Sequence, residues 1–263
     1  MCLVAFAWDP SAANRFVLAA NRDEFYARPS VPAGWWAAYP DLWAGQDLEA
    51  GGTWMGITRT GRFAAITNVR EPQSARPGVQ SRGLLVLDFL TGLASPQDYL
   101  KGVAETADQF RGFNLLVGDL YGPSLSLYYY SNRGGAAPRA LAPGVYGISN
   151  AALDTPWPKV VALTSSLTLL KAADAPLEAY LRPLEDRHIA PDPELPSTGV
   201  TLALERVLSA SFIISPDYGT RSQTVLIASG DRQVDVLERS FDNAEQATML
   251  APASLHQDRF TVE

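Results

Sequence analysis

One cysteine, Cys2, stands in a chain of 263 residues. That scarcity excludes an internal disulfide and any cysteine-rich metal site. Histidine is nearly as rare: His188 and His256 are the two, far apart, so the usual zinc and non-haem iron ligand sets are not expected. Basic runs are missing as well. With 21 Lys and Arg against 28 Asp and Glu, the formal net charge is -7. Such a balance argues against a nucleic-acid binder and against electrostatic docking on an anionic membrane. No apolar stretch reaches the length of a membrane span. The opening run Leu3 to Trp8 is short, lacks a basic leader and stops at Asp9-Pro10, so it does not read as a signal peptide. Nor is there an internal repeat or low-complexity tract. The expectation is a soluble cytoplasmic protein, one domain over residues 1–263, with no required cofactor.

What is present is a globular composition, 47% hydrophobic and 19% charged. Residues 2–8 and 15–21 read as a hairpin of two buried strands. The segment 26–51, with Pro, Gly and three Trp but no clear period, reads as a long irregular loop. Strands are expected near 52–58 and 62–69, a loop over 71–80, and a helix over 81–93. A second helix starts at Ser95-Pro96, with Ser as N-cap and Pro at the first helical position. Strands follow at 113–120, 124–130 and 144–149, then helices from Pro156, from about Pro176 and over 199–211. A last hairpin covers 220–229 and 232–240, and the tail after 242 has no assigned structure. Hairpins dominate, which gives an α+β class with two mostly antiparallel sheets and helices outside.

Chemistry concentrates at Cys2. If Met1 is removed, Cys2 carries a thiol and a free α-amine that titrates at about pH 8. Nucleophile and base then share one residue. A free Cys is otherwise often a small buried hydrophobe. The second strand ends in Asn21-Arg22-Asp23-Glu24, and the hairpin returns that end beside Cys2. If the backbone stays extended, Asn21 and Asp23 share one face and Arg22 and Glu24 the other. An Asp can orient the amine, and an Arg can lower the thiol pKa.

These residues, with Gly51-Gly52-Thr53-Trp54-Met55-Gly56, Thr67-Asn68-Val69-Arg70, Ser81-Arg82-Gly83, Gly112-Phe113-Asn114-Leu115, Gly147-Ile148-Ser149-Asn150, Leu153 to Lys159 and Tyr218-Gly219-Thr220-Arg221-Ser222, resemble the NRDE family, the transport and Golgi organisation family. That family is similar to cysteine-type N-terminal-nucleophile hydrolases such as penicillin V acylase and bile salt hydrolase. The resemblance implies a four-layer αββα sandwich. It implies Cys2 as nucleophile, Asp23 on the N-terminal amine, Asn68 as oxyanion donor, Asn150 as a second site amide and Arg221 near the thiol. Asn21, Arg22 and Arg70 are secondary candidates. The amidases carry an Arg three residues before the Asp, where this chain has Ala20. Read without the family, Asn68 and Asn150 cap strand ends, and Asp154 to Pro158 starts a helix.

Two functions follow as expectations. The first is a hydrolase of a small amide or thioester. The second is a carrier of an apolar ligand, haem or an acyl lipid, with Cys2 as a possible axial ligand. Cys2 is expected at the floor of a pocket bordered by Asp23, Asn68, Asn150 and Arg221. The 26–51 segment is expected to cover it, with Trp35, Trp36 and Trp54 as pocket candidates beside Trp43.

Overall fold

The computed structural model describes residues 2–71, 80–123 and 125–263. Met1, most of the expected 71–80 loop and Ser124, the first residue of an expected strand, lie outside the described residues. In chain order the strands are β1 (Cys2–Trp8), β2 (Asn14–Phe25), β3 (Ser30–Trp35), β4 (Leu42–Asp47), β5 (Met55–Thr58), β6 (Arg62–Asn68) and β7 (Phe113–Asp119). Then come β8 (Ser126–Ser131), β9 (Arg139–Ala140), β10 (Gly144–Ile148), β11 (Tyr218–Ser229), β12 (Gln233–Ser240) and β13 (Ser254–Thr261). The helices are α1 (Arg82–Thr91), α2 (Pro96–Glu105), α3 (Pro158–Ala172), α4 (Leu181–Leu184), α5 (Leu202–Ser209) and α6 (Ala244–Met249).

Two antiparallel sheets result. One runs β10-β1-β2-β11-β12-β13, the other β3-β4-β5-β6-β7-β8-β9. The alternation of side chains builds four layers from them. On β1, Val4, Phe6 and Trp8 face the second sheet and meet Phe63, Ala65 and Leu116. Leu3, Ala5 and Ala7 face the other way and pack on Val160, Leu163 and Leu167 of α3. On β6, Ala64 and Ile66 turn outward to Val86 and Phe89 of α1. Every residue of β1 is therefore buried, on one face by a sheet and on the other by a helix. The order helix, sheet, sheet, helix is the four-layer α+β sandwich that the family resemblance implies.

Three expectations are corrected. Segment 26–51 is not irregular: β3 and β4 form an edge hairpin of the second sheet. Pro32 and Gly34 obscured it, because both sit where the pairing shifts between Val31 and Gly34, a bulge that tolerates a missing donor. Asn21 to Glu24 lies within β2, which continues to Phe25 by pairing with β11. The tail after 242 holds α6 and β13, and β13 lengthens the first sheet through pairing with β12.

One close approach explains two of the glycine motifs. A Cβ on Gly52 would fall 2.5 Å from the Gly83 carbonyl carbon. The turn before β5 therefore rests backbone to backbone on the first turn of α1, with Thr53 N–H donating to Gly83 O at 3.3 Å. Gly52→Ala is expected to destabilise the fold by about 2 kcal/mol, because main chain cannot yield as a flexible side chain does. A urea midpoint equal to that of the unsubstituted chain would reject this contact.

Candidate active site

β1 sits between β10 and β2, and Cys2 is its first residue, paired with Arg22. Directly opposed residues share a face. Cys2 and Arg22 thus continue the Val4 and Ala20 rows on the side facing the second sheet. They open into a cavity of about 570 Å³ whose walls also include Glu24, Trp54, Asn68, Arg82, Arg111, Arg221 and Glu238. The β3–β4 hairpin covers one side through Ser30, Val31, Pro32, Gly45, Gln46 and Asp47. The segment expected over the pocket does lie there, but not by its tryptophans. Trp35 stacks edge-on to Phe260 and carries Arg59 over its ring at 3.8 Å. Trp36 donates to Ala44 O at 2.8 Å among the residues packed on α1, and Trp43 is buried between the sheets. Pro32 and Gly45 present backbone where large rings were expected; of the three pocket candidates, Trp54 alone lines the cavity.

Asn68 ends β6 and reaches the cavity from the second sheet. Among the described residues its side-chain amide makes no hydrogen bond, so its donors are available to a ligand. Asn150 is buried and does not line the cavity. Its Nδ2 donates to the Asn68 carbonyl at 2.9 Å, and its Oδ1 accepts from Ser149 Oγ, which also donates to Cys2 O at 3.2 Å. The second amide thus fixes the strand end that carries the first, rather than facing a ligand itself.

Arg221 lines the cavity because β11 bulges between Thr220 and Ser222 and turns it inward. Its guanidinium is already occupied. Nε donates to Phe241 O at 2.9 Å, and Nη1 reaches the carbonyls of Phe25 and Tyr26 at 2.9 Å and Arg28 at 3.1 Å. It clamps the turn leading into β3. Arg22 takes the position opposite Cys2 and is a cation beside the thiol. Even so, burial pushes the Cys2 thiol above its ordinary value, with Arg22 acting the other way. At 6% exposure, desolvation is the largest influence on the thiol, ahead of the neighbouring cation that the sequence suggested would lower its pKa.

Asp23 comes to this end of the sheet from the helix side. It is fully buried, and its Oδ1 accepts from Thr220 Oγ1 at 2.8 Å. Burial raises its pKa, and Lys159 opposes that rise. Asn21, on the same face, donates to Leu184 O at 2.9 Å and Ser211 O at 2.7 Å, and accepts from Gln223. It ties β2 to the segments flanking α4 and α5, a structural role. Arg70 is buried against Glu205 at 2.6 Å, lies under Trp157, and donates its backbone N–H to Asn150 O at 2.7 Å.

Lys159 is the residue that reading the sequence missed. It occupies the first turn of α3, is 4% exposed, and donates Nζ to Leu208 O at 2.8 Å. The available signal was a Lys amid an apolar helix face whose neighbours Val160 and Leu163 are core. Asp154 does not cap this helix, as was expected. Its Oδ1 takes Gly147 N–H at 2.8 Å and its φ is 60°, while Trp157 stands at the N-cap position before Pro158.

Among the described residues no cluster of His, Cys, Asp and Glu could hold a metal ion, and no helix is long and apolar enough to cross a membrane. Residues 1–243 match the family model described as Transport and Golgi organisation 2. The chain is 38% identical over 260 residues to the Transport and Golgi organization protein 2 homologs of Bos taurus and of Homo sapiens, covering 91% of this chain and 93% of each relative. Among solved structures, a Caenorhabditis elegans N-acylethanolamine-hydrolyzing acid amidase ortholog superposes with a TM-score of 0.50 at 12% identity, over 86% of this chain and 92% of that one. This likeness is one of fold.

Burial draws the Lys159 pKa down to about 8 from 10.5, with Asp23 pulling the other way. The unfolded chain therefore keeps a proton that the folded chain has lost as pH rises through this window, and stability increases with pH there. The unfolding free energy of the unsubstituted chain, relative to Lys159→Met, is expected to rise between these two values by at most about 3 kcal/mol. Urea denaturation across that range checks it, and a flat difference would remove Lys159 from the buried charge cluster.

Proposed function

The chain belongs to the Transport and Golgi organisation 2 family, and we propose that it is an N-terminal-nucleophile cysteine hydrolase of a small amide or thioester. The observation that carries this reading is that Cys2 and the unengaged amide of Asn68 reach one polar cavity from opposite sheets. Removal of Met1 leaves the Cys2 α-amine beside its own thiol. As Sγ attacks the substrate carbonyl, the neutral amine takes the thiol proton, which offsets the cost of ionising a buried sulfur. The Asn68 amide donates to the oxygen that gains charge. The ammonium then passes its proton to the leaving nitrogen or sulfur, and an acyl thioester remains on Sγ. Water attacks that thioester, the amine accepts the water's proton, and the acid leaves as the thiol re-forms. Asp23, anchored by Thr220, is positioned to orient the amine. Lys159 behind it favours the Asp23 carboxylate over the acid.

The lining speaks against the carrier reading. Haem and acyl chains need apolar walls, whereas the apolar contribution here comes from Val31, Pro32, Ala50, Trp54 and Ile66 amid charged side chains. Neither histidine lines the cavity, which leaves Cys2 as the haem ligand among the lining residues.

The test uses protein whose intact mass lacks Met1, assayed on a panel of neutral and charged acyl amides and thioesters. Cys2→Ala is expected to abolish turnover, and Cys2→Ser to retain the fold but lose most of the rate. Asn68→Ala is expected to lower kcat by about a hundredfold or more. Processed protein that turns over no member of the panel, or Cys2→Ala protein that keeps the rate, would overturn the hydrolase.

A further inference from the structure

Six carboxylates line the cavity: Asp23, Glu24, Asp47, Glu49, Glu238 and Asp242. Most are already committed. Asp47 and Glu49 pair with Arg28 at 2.8 and 3.3 Å, and Asp242 stands 3.7 Å from Arg221. Glu238 is buried and accepts from Ala33 N at 2.6 Å and Thr224 Oγ1 at 2.9 Å. Asp23 is held by Thr220 on the helix side. Glu24 forms no ion pair among the described residues, and its Oε1 takes the N–H of Phe25.

The cations divide differently. Arg28 and Arg221 are used in the contacts just given. Arg22, Arg82 and Arg111 form no ion pair among the described residues, although all three line the cavity. Arg82 spends one bond on Gly112 O at 2.8 Å. Burial lowers its pKa first, and the nearby charge of Arg111 lowers it further. Three guanidiniums, from β2, from α1 and from the residue two before β7, thus share the lining of one cavity, and Arg82 feels the charge of Arg111 as well as that of Glu71 and Glu24. Guanidinium is the group that meets carboxylate or phosphate with paired donors, and none of these three spends its donors on an ion pair among the described residues.

We propose that Arg22, Arg82 and Arg111 form an anion subsite in the Cys2 cavity, which holds a carboxylate or phosphate carried by the molecule that Cys2 meets. Only the link to a reacting carbonyl rests on the hydrolase reading. Anion recognition does not, and the test is chosen accordingly.

Cys2 is the only cysteine, so alkylation reports on this cavity alone. Rates with iodoacetate, which is anionic, and iodoacetamide, its neutral counterpart of similar size, are compared in the folded chain and in the same chain unfolded in urea. Folding is expected to raise the iodoacetate to iodoacetamide ratio by about tenfold. Arg82→Met and Arg111→Met should bring the ratio back to the unfolded value, while Arg59→Met, whose guanidinium stacks on Trp35 away from the cavity, should not. A second measurement covers slow labelling of the buried thiol. Inorganic phosphate and malonate, at ionic strength matched with chloride, should raise Tm in the unsubstituted chain and not in Arg82→Met or Arg111→Met. A rise with phosphate alone assigns a phosphoryl group, and with malonate alone a carboxylate. No rise with either anion, together with a ratio that folding leaves unchanged or labelling by neither reagent, overturns the subsite. Because neither measurement needs turnover, an inactive protein with an intact anion response would sink the hydrolase and leave the subsite standing.

Discussion

The bond from Asn150 Nδ2 to Asn68 O is the constraint on which the site depends. It crosses from the end of β10 in one sheet to the end of β6 in the other. Apolar packing between sheets is strong but non-directional, and it leaves strand ends free to splay. A buried amide bonded at both ends removes that freedom. Arg70 N–H returns the contact by donating to Asn150 O, and Thr67 Oγ1 donates to Ser149 O at 2.8 Å. Farther in, Asn114 Nδ2 bonds Thr67 Oγ1 and Ala151 O, and Tyr129 donates to Asn114. A seam of polar contacts thus fixes where Asn68 stands relative to Cys2, and the reach between thiol and amide follows from it.

Behind Cys2 the same end of the fold holds an unusual density of buried charge. Arg70, Glu205, Lys159 and Asp23 all lie between the first sheet and its helices. Replacing such a set with hydrocarbons often costs nothing in stability. Its position is the informative point. Asp23 touches the cavity from this side, while Arg70, Glu205 and Lys159 stay behind it and act on the strand end without entering the cavity. The cavity face carries the arginines, and the helix face carries the groups that hold the strand end in place.

Alternation made much of this legible. The period of two along β1 and β2 placed Arg22 and Glu24 on one face and Asn21 and Asp23 on the other before any fold was known, and the hairpin set that end beside Cys2. The family resemblance supplied Asn68, which the structure puts on the cavity wall, but did not separate it from Asn150. Both end strands in similar sequence contexts, and only the partner of each amide tells them apart. Arg221 was misread for a related reason: a bulge at its own position decides where it points, and carbonyls from the turn near residue 28, distant in sequence, decide what it binds. Lys159 was missed because its burial depends on α5 and β2 closing over α3. The β3–β4 hairpin was hidden by the Pro and Gly that its bulge accommodates.

Ala20 stands where the resemblance to cysteine-type amidases leads one to expect an arginine, and the register shows where this chain carries a cation beside the thiol instead. Ala20 pairs with Val4, two residues in from the strand end, and joins the core between the sheets. An arginine rooted there would have to reach outward past Arg22 through packed apolar side chains. Arg22 pairs with Cys2 itself, so its guanidinium starts level with the sulfur and needs no such path. Positions 20 and 22 lie two residues apart on the same face of the same strand, the smallest step that keeps a side chain on the cavity side. At that position Arg22 lines the same cavity as Arg82 and Arg111 and faces both the thiol and the carboxylate of Glu238.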